Sequence, residues 1–261
     1  MSAAVIGVIG GSGLYELLED TRHEFVETIY GTPSSPVSLG QIGGRDVAFL
    51  TRHGTEHAVP PHLINYRANL AALDRLGVRT LITSSAVGSL RSDYRPGDFV
   101  LTDQFVDRTT GRVDTFVTGP QVSHTSLSEP YCPHMRHVAQ QVLDYQGEQF
   151  HPTGTAVVIQ GPRFSTRAES QWYQAMGWDV LSMTQHPETA LARELGMCVL
   201  NVSFVSDLDA GVPGLQDEPV TGELVFQTIA AGQTRIKRVL GELVQQASVQ
   251  ENCRCAGSRV R

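Results

Sequence analysis

The chain has 261 residues, 41% of them hydrophobic, and a formal net charge of -7 at pH 7. That length suits one large α/β domain, and the anionic balance argues against nucleic acid or an anionic membrane as partner. Without a linker or composition break, the expected organisation is one domain over 1–250 with a flexible polar tail over 251–261.

The N-terminus shows no basic segment followed by a long apolar run, and no 18-residue apolar stretch occurs, so neither a signal peptide nor a membrane span is expected. Val5 to Ile9 reads as a buried strand. It runs into Gly10-Gly11-Ser12-Gly13, where glycines let backbone N–H groups approach an anion and Ser12 adds a donor. A G-x-G-x-x-G dinucleotide fingerprint is lacking. Residues 36–43 and 46–51 suggest a hairpin ending in Arg52-His53-Gly54. A guanidinium fork beside an imidazole donor suits phosphate. The competing zinc reading of His53, His57 and His62 lacks a thiolate or carboxylate at a fitting spacing.

Residues 62–76 carry a helical apolar face closed by Gly77. Val78 to Ile82 is the next buried strand and enters a polar loop, Thr83 to Gly88. Phe99 to Phe105 reads as a strand, 107–129 as a long loop, and 133–146 as a helix. Thr155 to Ile159 is a strand, followed by Gln160 to Ser165 and a helix from Thr166 to Met176. Asp179 to Leu181 is a short strand ending at Met183-Thr184, and Pro187 to Gly196 brackets a helix.

Cys198 to Val205 is a strand that leads into Asp207 and Asp209. One residue separates these aspartates, so on extended backbone both point to one side, at the carboxyl edge where open α/β sheets bind ligands. Val220 to Gln246 is a long amphipathic helix. Lys237 is the lone lysine, which removes a G-K-[ST] phosphate loop and, from inside a helical run, argues against a Schiff-base lysine. Cys132, Cys198, Cys253 and Cys255 are too few and too dispersed for a disulfide framework, which favours a reduced cytoplasmic setting with an inert Cys253-x-Cys255 pair over a strained disulfide or a metal-binding pair. Strands alternating with helices, several ending in polar loops, predict an α/β sheet with a pocket for an anion beside a neutral polar ring.

Eight segments in order carry a resemblance: IGGSGLY (9–15), TRHGTEH (51–57), NYRANLAAL (65–73), SSAVGSL (84–90), DQFVDRTTGR (103–112), GPRFSTRAES (161–170), MTQHPE (183–188) and SDLDAG (206–211). Together they resemble the nucleoside phosphorylase family, and within it the trimeric S-methyl-5'-thioadenosine phosphorylases. The resemblance implies a single α/β domain with a twisted mixed β-sheet flanked by helices, and sites shared across a homotrimer. It implies phosphate held by Ser12, Arg52, His53, Ser85, Ala86 and Thr184. It further implies Met183 under the ribose, Phe164 and Ser165 at the base, Asp207 and Asp209 at N7 and the 6-amino group, and His124 reaching a neighbouring subunit's 5' pocket, which Gly222 and Val225 line. Inorganic phosphate is then a co-substrate, with no cofactor and no metal.

The residues themselves support that chemistry. Phosphate beside the ribose makes attack near-unimolecular and stabilises an oxocarbenium-like sugar. The base leaves easily only when N7 receives a proton, which a buried Asp207 can supply. Asp209, an acceptor, suits a 6-amino purine rather than a 6-oxo one. Gly222 stands where the family has a branched apolar residue against the methylthio group, so other 5' substituents are open. The expected reaction is phosphorolysis of methylthioadenosine to adenine and 5-methylthioribose 1-phosphate in methionine and purine salvage, with another purine nucleoside as the alternative. A non-catalytic nucleoside sensor would not need phosphate donors opposite an acid, and a hydrolase would need a group that activates water.

Overall fold

A ten-residue strand, Thr80–Ser89, is the spine of the structure. The computed structural model describes residues 6–10, 18–120, 122–212, 219–247 and 253–258. In chain order the strands are β1 (Ile6–Gly10), β2 (Glu19–Glu24), β3 (Val37–Ile42), β4 (Arg45–Thr51), β5 (Thr80–Ser89), β6 (Phe99–Val100), β7 (Gln104–Arg108), β8 (Phe150–His151), β9 (Thr155–Ile159), β10 (Val180–Ser182) and β11 (Cys198–Leu208). The helices are α1 (Tyr66–Arg75), α2 (Pro133–Tyr145), α3 (Arg167–Ala175), α4 (Gln185–Glu194) and α5 (Gly222–Gln246). Among the described residues these strands form one mixed sheet, as expected of an α/β fold. None of the described helices is long and apolar enough to cross a membrane.

Local chemistry sets the helix ends. The Asn65 side chain caps α1 by accepting from the Ala68 N–H, and Thr166 with Glu169 makes a reciprocal capping box on α3. Gly77 and Gly196 follow α1 and α4 with φ of 82° and 73°, the left-handed conformation that ends a helix at little cost in glycine. The apolar faces of α2 and α5 pack on Val202, Phe204 and Leu200 of β11, which is buried through Asp207.

The register of β5 makes the pocket. Its first four residues, Thr80 to Thr83, pair with parallel β1, and Gly88 and Ser89 pair with antiparallel β10. Among the described residues, Ser84 to Val87 have no strand on that side. The carboxyl ends of β1 and β10 point into this gap from opposite directions, the kind of switch point at which α/β sheets bind ligands. On its other side β5 pairs with β11 along its whole length, with a bulge between Val205 and Asp207.

Three expectations change here. Thr83 to Gly88 is strand, not loop, because β11 supplies a hydrogen-bonding partner that its small polar residues do not advertise. The expected Phe99–Phe105 strand splits into β6 and β7, since the first part pairs with β11 and β8 and the second with β9. Within the stretch expected to be a flexible tail, Arg254–Ser258 forms a 3-10 helix and Cys255 is buried in the core.

Helix α5 is anchored over only part of its length. Its buried residues are Gly232, Ile236, Val239, Leu240, Leu243 and Val244. At Gly232 the backbone lies against the Phe204 ring, and an added Cβ would come within 2.3 Å of it. The preceding turns of the helix roof the cavity beside the β5 gap.

Candidate active site

A cavity of about 540 Å³ opens at the gap. Ligand pockets commonly fall between roughly 300 and 1,000 Å³. Its walls bring together Arg52, His53, Ser85, Ala86, Thr184, Phe164, Met183, Asp207, Asp209, Gly222 and Val225, which the chain scatters over 174 positions, from 52 to 225. Ser165 and His124 are not among the lining residues. Ser165 has a buried hydroxyl without a hydrogen-bond partner, and His124 is exposed. Ser12 lies outside the described residues.

Arg52 is 2% exposed and immediately follows β4. Its Nε and Nη2 donate to the two carboxylate oxygens of Glu188 on α4 at 2.7 and 2.8 Å, while Nη1 donates to the Ser84 carbonyl at 3.0 Å. Burial opposes the guanidinium charge, but Glu188 more than offsets this and raises its pKa above the ordinary value. The fork expected to face phosphate is therefore turned to Glu188. One N–H on each Nη is left for an anion.

His53 Nδ1 sits 2.8 Å from the Val59 carbonyl and must carry a proton to bond it. Burial, then the Arg52 charge, pushes the imidazole pKa down to about 4. At neutral pH Nε2 is thus an acceptor, not the donor expected from sequence. A phosphate bound to it would have to present a P–OH group.

Ser85 is aimed by a buried polar chain. Tyr131 donates to Gln185, Gln185 to Ser203, and Ser203 to Asn201 Oδ1. Asn201 Nδ2 then donates to Ser85 Oγ at 3.1 Å. With its oxygen already accepting, the Ser85 hydroxyl hydrogen is available to donate into the cavity. Arg112 organises the neighbouring loops: its Nη1 donates to the carbonyls of Met183 and His186 and its Nη2 to that of Gln160, at 2.9, 2.6 and 2.7 Å.

The acidic wall lies where β11 bulges. Ser206 Oγ donates to Asp207 Oδ1 at 2.6 Å. Burial nevertheless pushes the Asp207 carboxyl up to about 6, against that hydrogen bond and with help from Asp209. Gly88 allows this approach, since a Cβ there would lie 3.0 Å from Asp207 Oδ2. Asp209 is 3% exposed, and burial raises its pKa against the pull of Ser170. Its Oδ2 and the Ser165 hydroxyl are buried polar atoms without partners, which a polar ligand edge can complete.

A mixed sheet whose strand ends converge on an arginine-and-hydroxyl corner and a raised-pKa carboxyl has the parts of a phosphorolytic site. A sequence model described as the phosphorylase superfamily matches residues 5–245, and the chain belongs to that superfamily. It is 48% identical to the S-methyl-5'-thioadenosine phosphorylase of Thermofilum pendens, over 98% of this chain and 97% of that one. It is 47% identical to the purine nucleoside phosphorylase of Streptomyces coelicolor, over 98% and 94%. Among solved structures, a methylthioadenosine phosphorylase sourced from an antarctic soil metagenomic library superposes with a TM-score of 0.93 at 38% identity, covering 99% of this chain and 92% of that one.

Sequence reasoning passed over Glu188, Arg112 and Asn201. Glu188 and Arg112 did fall inside the quoted MTQHPE and DQFVDRTTGR segments, so a charged residue within a recognised segment was the available signal.

Proposed function

We propose that the chain catalyses phosphate-dependent cleavage of the N-glycosidic bond of S-methyl-5'-thioadenosine, yielding adenine and 5-methylthioribose 1-phosphate. The observation that carries this reading is one cavity lined both by Arg52, Ser85 and Thr184 and by the buried pair Asp207 and Asp209. Phosphate at the first group is the nucleophile and the counter-charge for the sugar cation. Asp207 donates to N7 as the base departs, and Asp209 accepts from the 6-amino group. Phe164 and Ser165 attend the base, and Met183 the ribose. The names of the relatives support the substrate, and one solved relative, from Schistosoma mansoni, is described in complex with adenine. No cofactor enters this reaction.

A second reading is a 6-oxo purine nucleoside. The raised pKa of Asp209 favours it, because a protonated carboxyl donates to O6. Base release from methylthioadenosine, adenosine and inosine, each with and without phosphate, tests both. Phosphate-dependent adenine release fastest from methylthioadenosine is expected. Faster hypoxanthine release from inosine would overturn the adenine assignment, and an undiminished rate without phosphate would overturn phosphorolysis.

The active form in this reading is a cytoplasmic homotrimer, with the exposed His124 completing a neighbour's 5' pocket. A monomer by native mass spectrometry would exclude it.

Gly222 sets the 5' preference. A Cβ there meets nothing within 4 Å, so the backbone has room for a branched side chain. Gly222→Val is expected to lower KM for methylthioadenosine relative to adenosine by about 5- to 150-fold, the ~1–3 kcal/mol range of an apolar contact. Steady-state kinetics on both substrates reads the ratio, and an unchanged ratio would remove Gly222 from the 5' pocket.

A further inference from the structure

We propose that Cys132, Cys198, Cys253 and Cys255 form a four-thiolate structural site for one zinc ion that fastens the C-terminal segment to the body of the protein. Cys253 lies 121 and 55 residues in sequence from Cys132 and Cys198, yet the four sulfurs, that of Cys255 included, all lie within 4.8 Å of one another. Cys132 Sγ is 3.7 Å from Cys253 Sγ, and Cys198 Sγ is 3.3 Å from it. Four sulfurs about 2.3 Å from a tetrahedral zinc are separated by about 3.8 Å along each edge. The Cys132–Cys253 separation matches that edge and the Cys198–Cys253 one is about 0.5 Å shorter, a spacing that one ion can draw to a common centre, and no disulfide joins any of the four.

Two ligands are rigidly placed. Cys132 caps the N-terminus of α2, with its own N–H bonded to the Val199 carbonyl at 2.7 Å. Cys198 opens β11, with its N–H bonded to the Arg79 carbonyl at 2.8 Å. The N-terminus of α2 favours the Cys132 sulfur as thiolate over thiol. The other half of the site comes from the tail, where the 3-10 helix Arg254–Ser258 carries Cys255 into the core.

Three of the four cysteines are buried, and a four-sulfur cage without an open position suits a structural rather than a catalytic zinc. Binding replaces four S–H protons by one Zn²⁺, so up to four protons leave and no oxidant is consumed. The site lies at the first residue of β11, whereas Asp207 is near its last, so the metal would support the fold without touching the chemistry.

The full-length protein, purified under reductant without chelator, is expected to contain one zinc per chain by elemental analysis. Cobalt substitution is expected to give the visible bands of tetrahedral thiolate coordination. The tail variant Cys253→Ser/Cys255→Ser is expected to lose the zinc and melt at a lower temperature, with kcat/KM within about twofold of the parent. Zinc below a tenth of an equivalent in the parent would overturn the proposal. So would four titratable thiols that leave added zinc unbound, a mass lower by the hydrogens of two disulfides that persists under reductant, or zinc retained by the variant.

Discussion

Asp207→Asn is expected to lose ~10²–10⁴-fold in turnover while gaining thermal stability at neutral pH. The carboxyl is 5% exposed, and burial raises its pKa from 3.8 to about 6. A folded pKa above the unfolded one means that this group's favourable share of stability is fully present below pH 4 and is lost as pH rises through 6. Above that, the ionised form costs about 3 kcal/mol relative to the protonated one, at ~1.4 kcal/mol per unit. Asparagine carries no charge to bury. Its advantage should be small at pH 4 and reach a few kcal/mol by pH 8, read as a pH-dependent gap between the two melting curves. In the parent, kcat/KM should fall on the alkaline side of about pH 6, and in the asparagine variant that limb should vanish. Phosphate should still bind. Near-normal turnover in the variant would end the proton-donor assignment.

The next largest effect is expected at Glu188. Arg52 and Glu188 have side chains 3% and 1% exposed and share two hydrogen bonds. Glu188→Ala strands the arginine charge in the interior, which costs about 3–5 kcal/mol. In a chain of this size the melting temperature should drop on the order of 10 °C. A second variant separates folding from phosphate binding. Replacing both partners with apolar residues, Arg52→Met with Glu188→Leu, removes the stranded charge and should recover most of the lost stability. The same protein should show no saturable dependence of its rate on phosphate. If the double variant keeps that dependence, Arg52 is a structural residue and phosphate is held elsewhere.

Both effects depend on residues that sequence reads unequally. The aspartates were readable because a buried-strand run stops beside them and their spacing puts them on one side. The strand at Thr155–Ile159 was readable because its apolar run is bounded at both ends. Glu188 was not, since it sits in a helix opening whose local pattern describes a cap, while its partner lies 136 residues away. Ser84 to Val87 looked like loop because its strand character comes from β11 pairing and not from its own side chains. The strand β2 is exposed at every position, so it carries no hydrophobic alternation by which to find it. The cysteines looked dispersed because only the closed fold measures their separation in ångströms.

The division of α5 has an evolutionary consequence. Its anchoring residues begin at Gly232, while Gly222, Val225, Phe226 and Ile229 face the cavity from turns that bury no side chain in the core. Substitutions at those four positions therefore escape the stability threshold that filters changes in a packed interior. A lineage can drift from one 5' substituent to another there without passing through a poorly folded ancestor, whereas Asp207 in the buried run of β11 and Asp209 just beyond that strand have no such freedom.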